Sequence, residues 1–72
     1  MSARGWILDI MRCIERVDRA DFTLDDIYVF ESELAAAHPE NNHIKDKIRQ
    51  QLQMLRDKGY IDFVSRGHYR LI

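Results

Sequence analysis

At Gly59 the hydrophobic pattern of the chain changes period, and this switch limits the fold to a helical bundle followed by a hairpin. Before Gly59, apolar residues recur every three or four positions, the spacing that lines up side chains on one face of a helix. After it, Ile61 and Phe63 alternate with Asp62 and Val64, and Tyr69 and Leu71 alternate with His68 and Arg70, the period of two strands. Ser65-Arg66-Gly67 joins them as a three-residue hairpin, with glycine where a left-handed residue is needed.

The helical part divides into three. Trp6, Ile7, Ile10, Cys13, Ile14 and Val17 form one apolar stripe, with Asp9, Arg12, Glu15 and Arg16 turned away from it. A tryptophan that opens such a stripe is expected in the core. Thr23 offers a side-chain oxygen to cap a second helix whose stripe is Leu24, Ile27, Phe30 and Leu34, with Asp25 and Asp26 favoured by the helix dipole. Pro39 ends that helix. Asn42 is placed to cap a third helix, Asn42 to Lys58, buried through Ile44, Ile48, Leu52 and Leu55 and stopped by Gly59. There is room near Phe22 for a short strand against the hairpin. The expected architecture is α+β, mainly α: a winged helix-turn-helix of three helices and a C-terminal β-hairpin wing. It occupies residues 1–72 as one domain, with only Met1 to Arg4 as a possible appendage.

Seventy-two residues is the size of one domain, and Cys13 alone cannot form an internal disulfide, which suits a reducing compartment. The chain has neither an apolar run long enough for a bilayer nor a signal peptide, so the expected location is cytoplasmic and nucleoid-associated. The net charge of -1 conceals a division between His43 and Ile44: residues 1–43 carry -5 and residues 44–72 carry +4. One half can face a polyanion while the other faces water.

The second helix of a helix-turn-helix enters the major groove, and here that is the third helix of the chain. Opposite its apolar stripe a helical wheel collects Asn42, Asp46, Arg49, Gln50 and Gln53, with Lys45 and Lys47 on the flanks. Amides and arginine suit base edges, and lysines suit phosphates. Gln51 falls beside the apolar stripe and reads as a packed structural amide. The candidate DNA contacts are Asn41, Asn42 and His43 at the turn, Lys45, Asp46, Lys47, Arg49, Gln50 and Gln53 on the helix, and Arg66 and Arg70 in the hairpin. His38, His43 and His68 lack metal-ligand spacing and read as solvated or capping residues. The carboxylates form no pair with a base, and no serine has a nucleophile's context. No enzyme activity, metal or cofactor is therefore expected.

The strings His38-Pro39-Glu40-Asn41-Asn42, Lys47-Ile48-Arg49-Gln50-Gln51-Leu52-Gln53, Leu55-Arg56-Asp57 and Arg66-Gly67-His68-Tyr69-Arg70-Leu71 closely resemble the C-terminal winged-helix domain of the Dam-replacing family. That family includes DpnI-like, methyl-directed restriction endonucleases. The resemblance runs from Gly5-Trp6 to the end of the chain. It implies a reader of double-stranded DNA containing N6-methyladenine in a GATC context, working beside a separate nuclease domain of the PD-(D/E)xK type that this sequence lacks. It also implies that Arg49, Gln50 and Gln53 read bases and that Arg66-Gly67 is the wing tip. The residues alone leave two alternatives open, a winged-helix protein-interaction domain and a methylation-independent DNA-binding regulator. An interaction module would expose apolar anchors on the third helix, where this chain is polar and basic.

Overall fold

A computed structural model describes residues 4–72; of the possible appendage Met1 to Arg4, the first three residues lie outside the described residues. The element order is α1 (Arg4–Val17), β1 (Asp21–Thr23), α2 (Leu24–Tyr28), α3 (Glu31–Ala37), α4 (Ile44–Asp57), β2 (Ile61–Ser65) and β3 (His68–Leu71). This is a mainly helical winged helix-turn-helix with a small antiparallel sheet in the order β1-β3-β2.

The α1 stripe is buried through Trp6, Ile10, Cys13 and Ile14, with Ile7 and Val17 packed at its edge. Past the end of α1, Asp18 takes a left-handed φ of 60°, which a short polar side chain tolerates better than most, and its N–H returns to the Glu15 carbonyl at 3.0 Å. Thr23 then caps α2 as expected and does so reciprocally. Its hydroxyl accepts from the Asp26 N–H at 3.1 Å, and the Asp26 carboxylate accepts from the Thr23 N–H at 2.8 Å. Arg19 also reaches Asp26 at 2.6 Å, and the hydrogen bonds from Thr23, with the nearby cation, hold this carboxyl below the usual aspartate range.

The expected single second helix is two. Its ladder breaks at Val29 and Phe30, where the Phe30 N–H turns back to the Ile27 carbonyl at 2.9 Å. The break exposes Val29 at 77% while Ile27 and Leu34, on either side of it, both remain in the core. Among the described residues four helices therefore replace the expected three, within the same fold class.

Residues 38–43 turn the chain into α4, which buries Ile44, Ile48, Gln51, Leu52 and Leu55. Its end is a Schellman motif. Gly59 has a φ of 84°, its N–H reaches the Arg56 carbonyl at 3.0 Å, and the Tyr60 N–H reaches that of Leu55 at 3.0 Å. The core assembles from Ile10 and Ile14 of α1, Phe22, Ile27, Leu34, the α4 stripe and Ile61.

The short strand near Phe22 is present and pairs with β3, Phe22 opposite Tyr69. Phe63 lies opposite Tyr69 on the other side, and the register slips between Phe63 and Ser65, so Val64 is the extra residue of a bulge. Ser65 still pairs with His68, which shortens the expected three-residue connection to Arg66-Gly67, with Gly67 at a φ of 69°. The Leu24 N–H donates to the Gly67 carbonyl at 2.8 Å, tying the wing turn to the start of α2.

Candidate nucleic-acid interface

The core claims one side of α4 and leaves the other to solvent. Asn42, His43, Lys45, Asp46, Arg49, Gln50 and Gln53 are exposed, and Asn41 and Lys47 are half-buried. An open depression of about 530 Å³ lies along the first two turns of the helix, lined by Glu40, Asn41, Asn42, His43, Asp46, Lys47 and Gln50. The helix starts later than expected: His43, not Asn42, stands at the N-cap, and its side chain makes no capping bond. Asn41 supplies the local bond instead, its Oδ1 accepting from the His43 N–H at 2.7 Å. This Asx-type turn ends the preceding loop and leaves the Asn42 side chain exposed.

Each flanking lysine stands over an aromatic ring. The Lys45 Nζ is 5.1 Å from the centroid of Tyr28, and the Lys47 Nζ is 6.0 Å from that of Trp6. The two cations are thereby held on opposite flanks of α4. Arg49 forms an ion pair with Asp46 one turn earlier, and the Gln53 Nε2 lies 3.4 Å from Asp57 Oδ1. In water such exposed pairs contribute little, so these groups are available to a ligand that competes for them.

Arg66 is exposed at the wing turn. Arg70 is not gathered with the others. It shares its cross-strand row with Asp21 and Asp62, alternates in β3 with Tyr69, whose ring stacks on buried Phe22, and lies 3.7 Å from Asp62. That puts it on the sheet face away from the core. His68 is on this face too, 2.9 Å from Asp21, which lowers the Asp21 pKa.

His38 corrects the expectation of solvated or capping histidines. It is 1% exposed, stacked on Trp6 at 4.1 Å between centroids, with Nε2 2.6 Å from Asp9 Oδ2. Trp6 and Asp9 are three residues apart on α1 and so share a face, one offering an aromatic surface and the other an acceptor. An imidazole satisfies both at once. Gln51 is buried at 3%, as a packed amide should be, although its Oε1 finds no partner among the described residues.

A family model described as the Dam-replacing HTH domain matches residues 2–71, which is essentially the whole chain. The chain belongs to the Dam-replacing HTH domain family. A helix-turn-helix domain of this family is a DNA-binding unit. A small Dam-replacing HTH domain also fits a non-catalytic role. No described helix is long and apolar enough to cross a membrane.

Proposed function

We propose that residues 1–72 form one domain that reads N6-methyladenine in a GATC context of double-stranded DNA, with α4 in the major groove. It serves as the specificity domain of a restriction-type nuclease or as a stand-alone reader. The observation that carries this reading is the exposed side of α4. Three amides, Lys47, a histidine and the carboxylates of Glu40 and Asp46 line an open depression there, Lys45 and Arg49 are exposed beside it, and Met54, 39% exposed, is the one large apolar side chain of the helix outside the core. Gln50, Gln53 and Asn42 face base edges, Lys45 and Lys47 meet phosphates on the two flanks, and Arg66 reaches a phosphate or the minor groove.

The methyl preference has a steric basis. To keep its pairing with thymine, a methylated adenine turns the methyl toward N7 and into the major groove, where the unmodified base offers a donor. A bidentate amide grip on N6 and N7 is then blocked. A reader must instead offer van der Waals surface, which the aliphatic stems of Gln50, Gln53 and Arg49 supply while the glutamine amides bind neighbouring bases. One buried methyl contributes about 0.8 kcal/mol, so two in a palindromic site favour the methylated duplex by about 15-fold.

Two otherwise identical GATC duplexes, one methylated on both strands, titrated with the wild-type chain and with Gln50→Ala at one salt concentration, test this. Tighter wild-type binding to the methylated duplex, reduced in Gln50→Ala, is expected. Equal wild-type affinities would leave a methylation-independent DNA-binding regulator.

A further inference from the structure

A second line of side chains runs along α4 beside the base-facing row. At about 100° per residue, Lys45, Arg49 and Arg56 fall within about 40° of one another, between the exposed face and the buried stripe. At about 1.5 Å per residue they span about 16 Å of the helix.

Two phenols border this line from other elements. Tyr28 of α2 lies beneath Lys45, 5.1 Å from centroid to Nζ. Tyr69 of β3 stacks on Phe22 at 5.5 Å, and because Phe22 is 1% exposed this is the core-facing side of the sheet, the side on which the helices lie. Burial pushes the Tyr69 phenol pKa up, Tyr28 adds to this, and Arg56 and Arg49 oppose it. The raised pKa keeps the Tyr69 hydroxyl protonated, a donor, at neutral pH. Both tyrosines are half-buried, each keeping part of its surface in solvent. The carboxylates paired with the line come from α4 itself: Asp46 with Arg49, and Asp57 with Arg56 at a loose 3.6 Å.

Three cations in a row with two hydroxyl-bearing rings beside them match a chain of phosphodiesters. The phosphates of one DNA strand recur with a rise of about 3.4 Å, and lysine, arginine and tyrosine are all common donors to their oxygens. We infer that this line of α4, with the two phenols beside it, seats one sugar–phosphate strand of the duplex, Arg56, Tyr28 and Tyr69 binding phosphate oxygens alongside Lys45 and Arg49. Arg49 is then drawn to the backbone, and base reading falls to the glutamines and Asn42. The inference rests on duplex binding through α4, and is independent of any methyl preference.

The test is a titration of end-labelled duplexes (methylated GATC, unmethylated GATC and GATC-free) at several salt concentrations with the wild-type chain, Arg56→Gln, Tyr28→Phe and Tyr69→Phe. The phenylalanine variants keep each ring and remove only the hydroxyl, and thermal melts check that all three variants fold. Arg56→Gln should flatten the slope of log K against log salt by about 0.9. Each tyrosine variant should weaken binding by about three- to tenfold with the slope unchanged, and equally on all three duplexes, because a phosphate contact carries no sequence information. Wild-type affinity and slope in all three folded variants would overturn the strand seat, and so would losses confined to the methylated duplex, which would mark base contacts. A wild-type chain that binds no duplex would instead remove the DNA-binding reading itself.

Discussion

Where α4 meets solvent, its side chains are amides, cations and carboxylates around an open depression; where α1 meets solvent beside the sheet, Leu8, Met11, Tyr60 and Leu71 line an apolar groove of about 450 Å³. Leu8 is 51% and Met11 38% exposed, yet no residue of this groove lines the depression on α4. Both helices bury one face by the same three-and-four spacing, so burial does not explain the contrast. What differs is the face each leaves outside: that of α4 gathers amides and cations, which a duplex rewards, whereas on α1 Arg12 and Glu15 stand among the exposed apolar residues of the groove.

The largest effect should come from beneath both faces. Leu52 is fully buried, and Leu52→Ala should cost about 2 to 5 kcal/mol of stability, enough to unfold much of so small a domain and abolish both faces together. Urea titration measures this, and a cooperative, near-wild-type transition would mean that α4 is not seated on this core.

A smaller loss should separate the faces. Thr23→Ala removes half of the capping box that starts α2 where the wing turn is tied on, and should cost about 1 kcal/mol. Asp26, the other half, titrates below its ordinary value of 3.8, so its contribution is complete above that value and is lost as the pH falls through its lower folded pKa. Asp26→Asn should therefore flatten the acid side of the stability profile below pH 3.8. An unchanged acid limb would remove the carboxylate from the cap.

On the alkaline side, burial pushes the Cys13 thiol up to about 11 from 9.0. The folded state then holds a proton that the unfolded state releases, so stability should fall as the pH rises from 9 to 11, and less steeply in Cys13→Ala. Parallel wild-type and variant profiles would contradict this. The smallest effect belongs to the apolar groove: Leu8→Gln should leave duplex affinity within twofold of wild type, and a marked loss of affinity would erase the distinction between the faces.

Much of this was legible in the sequence. The stripes of α1 and α4, the Thr23 cap, the Gly59 stop and the strand at Phe22 follow from spacing and single-residue stereochemistry, which act locally. The break at Val29-Phe30 was not legible, because the apolar spacing across it continues and only packing on two sides favours separate helices. His38 was missed for a similar reason: its partners Trp6 and Asp9 are distant in sequence, and a lone histidine before a proline has no local sign of burial. Among the candidate contacts, the α4 residues share one exposed side as the wheel requires. Arg70 stands apart because the strand alternation, set by its pairing with Asp21 and Asp62, turns it to the other sheet face.

The central claim is that DNA lies on the exposed side of α4 and the wing turn. Backbone amide shifts of the labelled chain, followed by NMR as a GATC duplex is added, test it most directly. The expected changes concentrate at residues 41–53 and at Arg66-Gly67, with Leu8, Met11 and Tyr60 nearly unmoved. Changes centred on the groove of α1 and the sheet, with α4 silent, would contradict it.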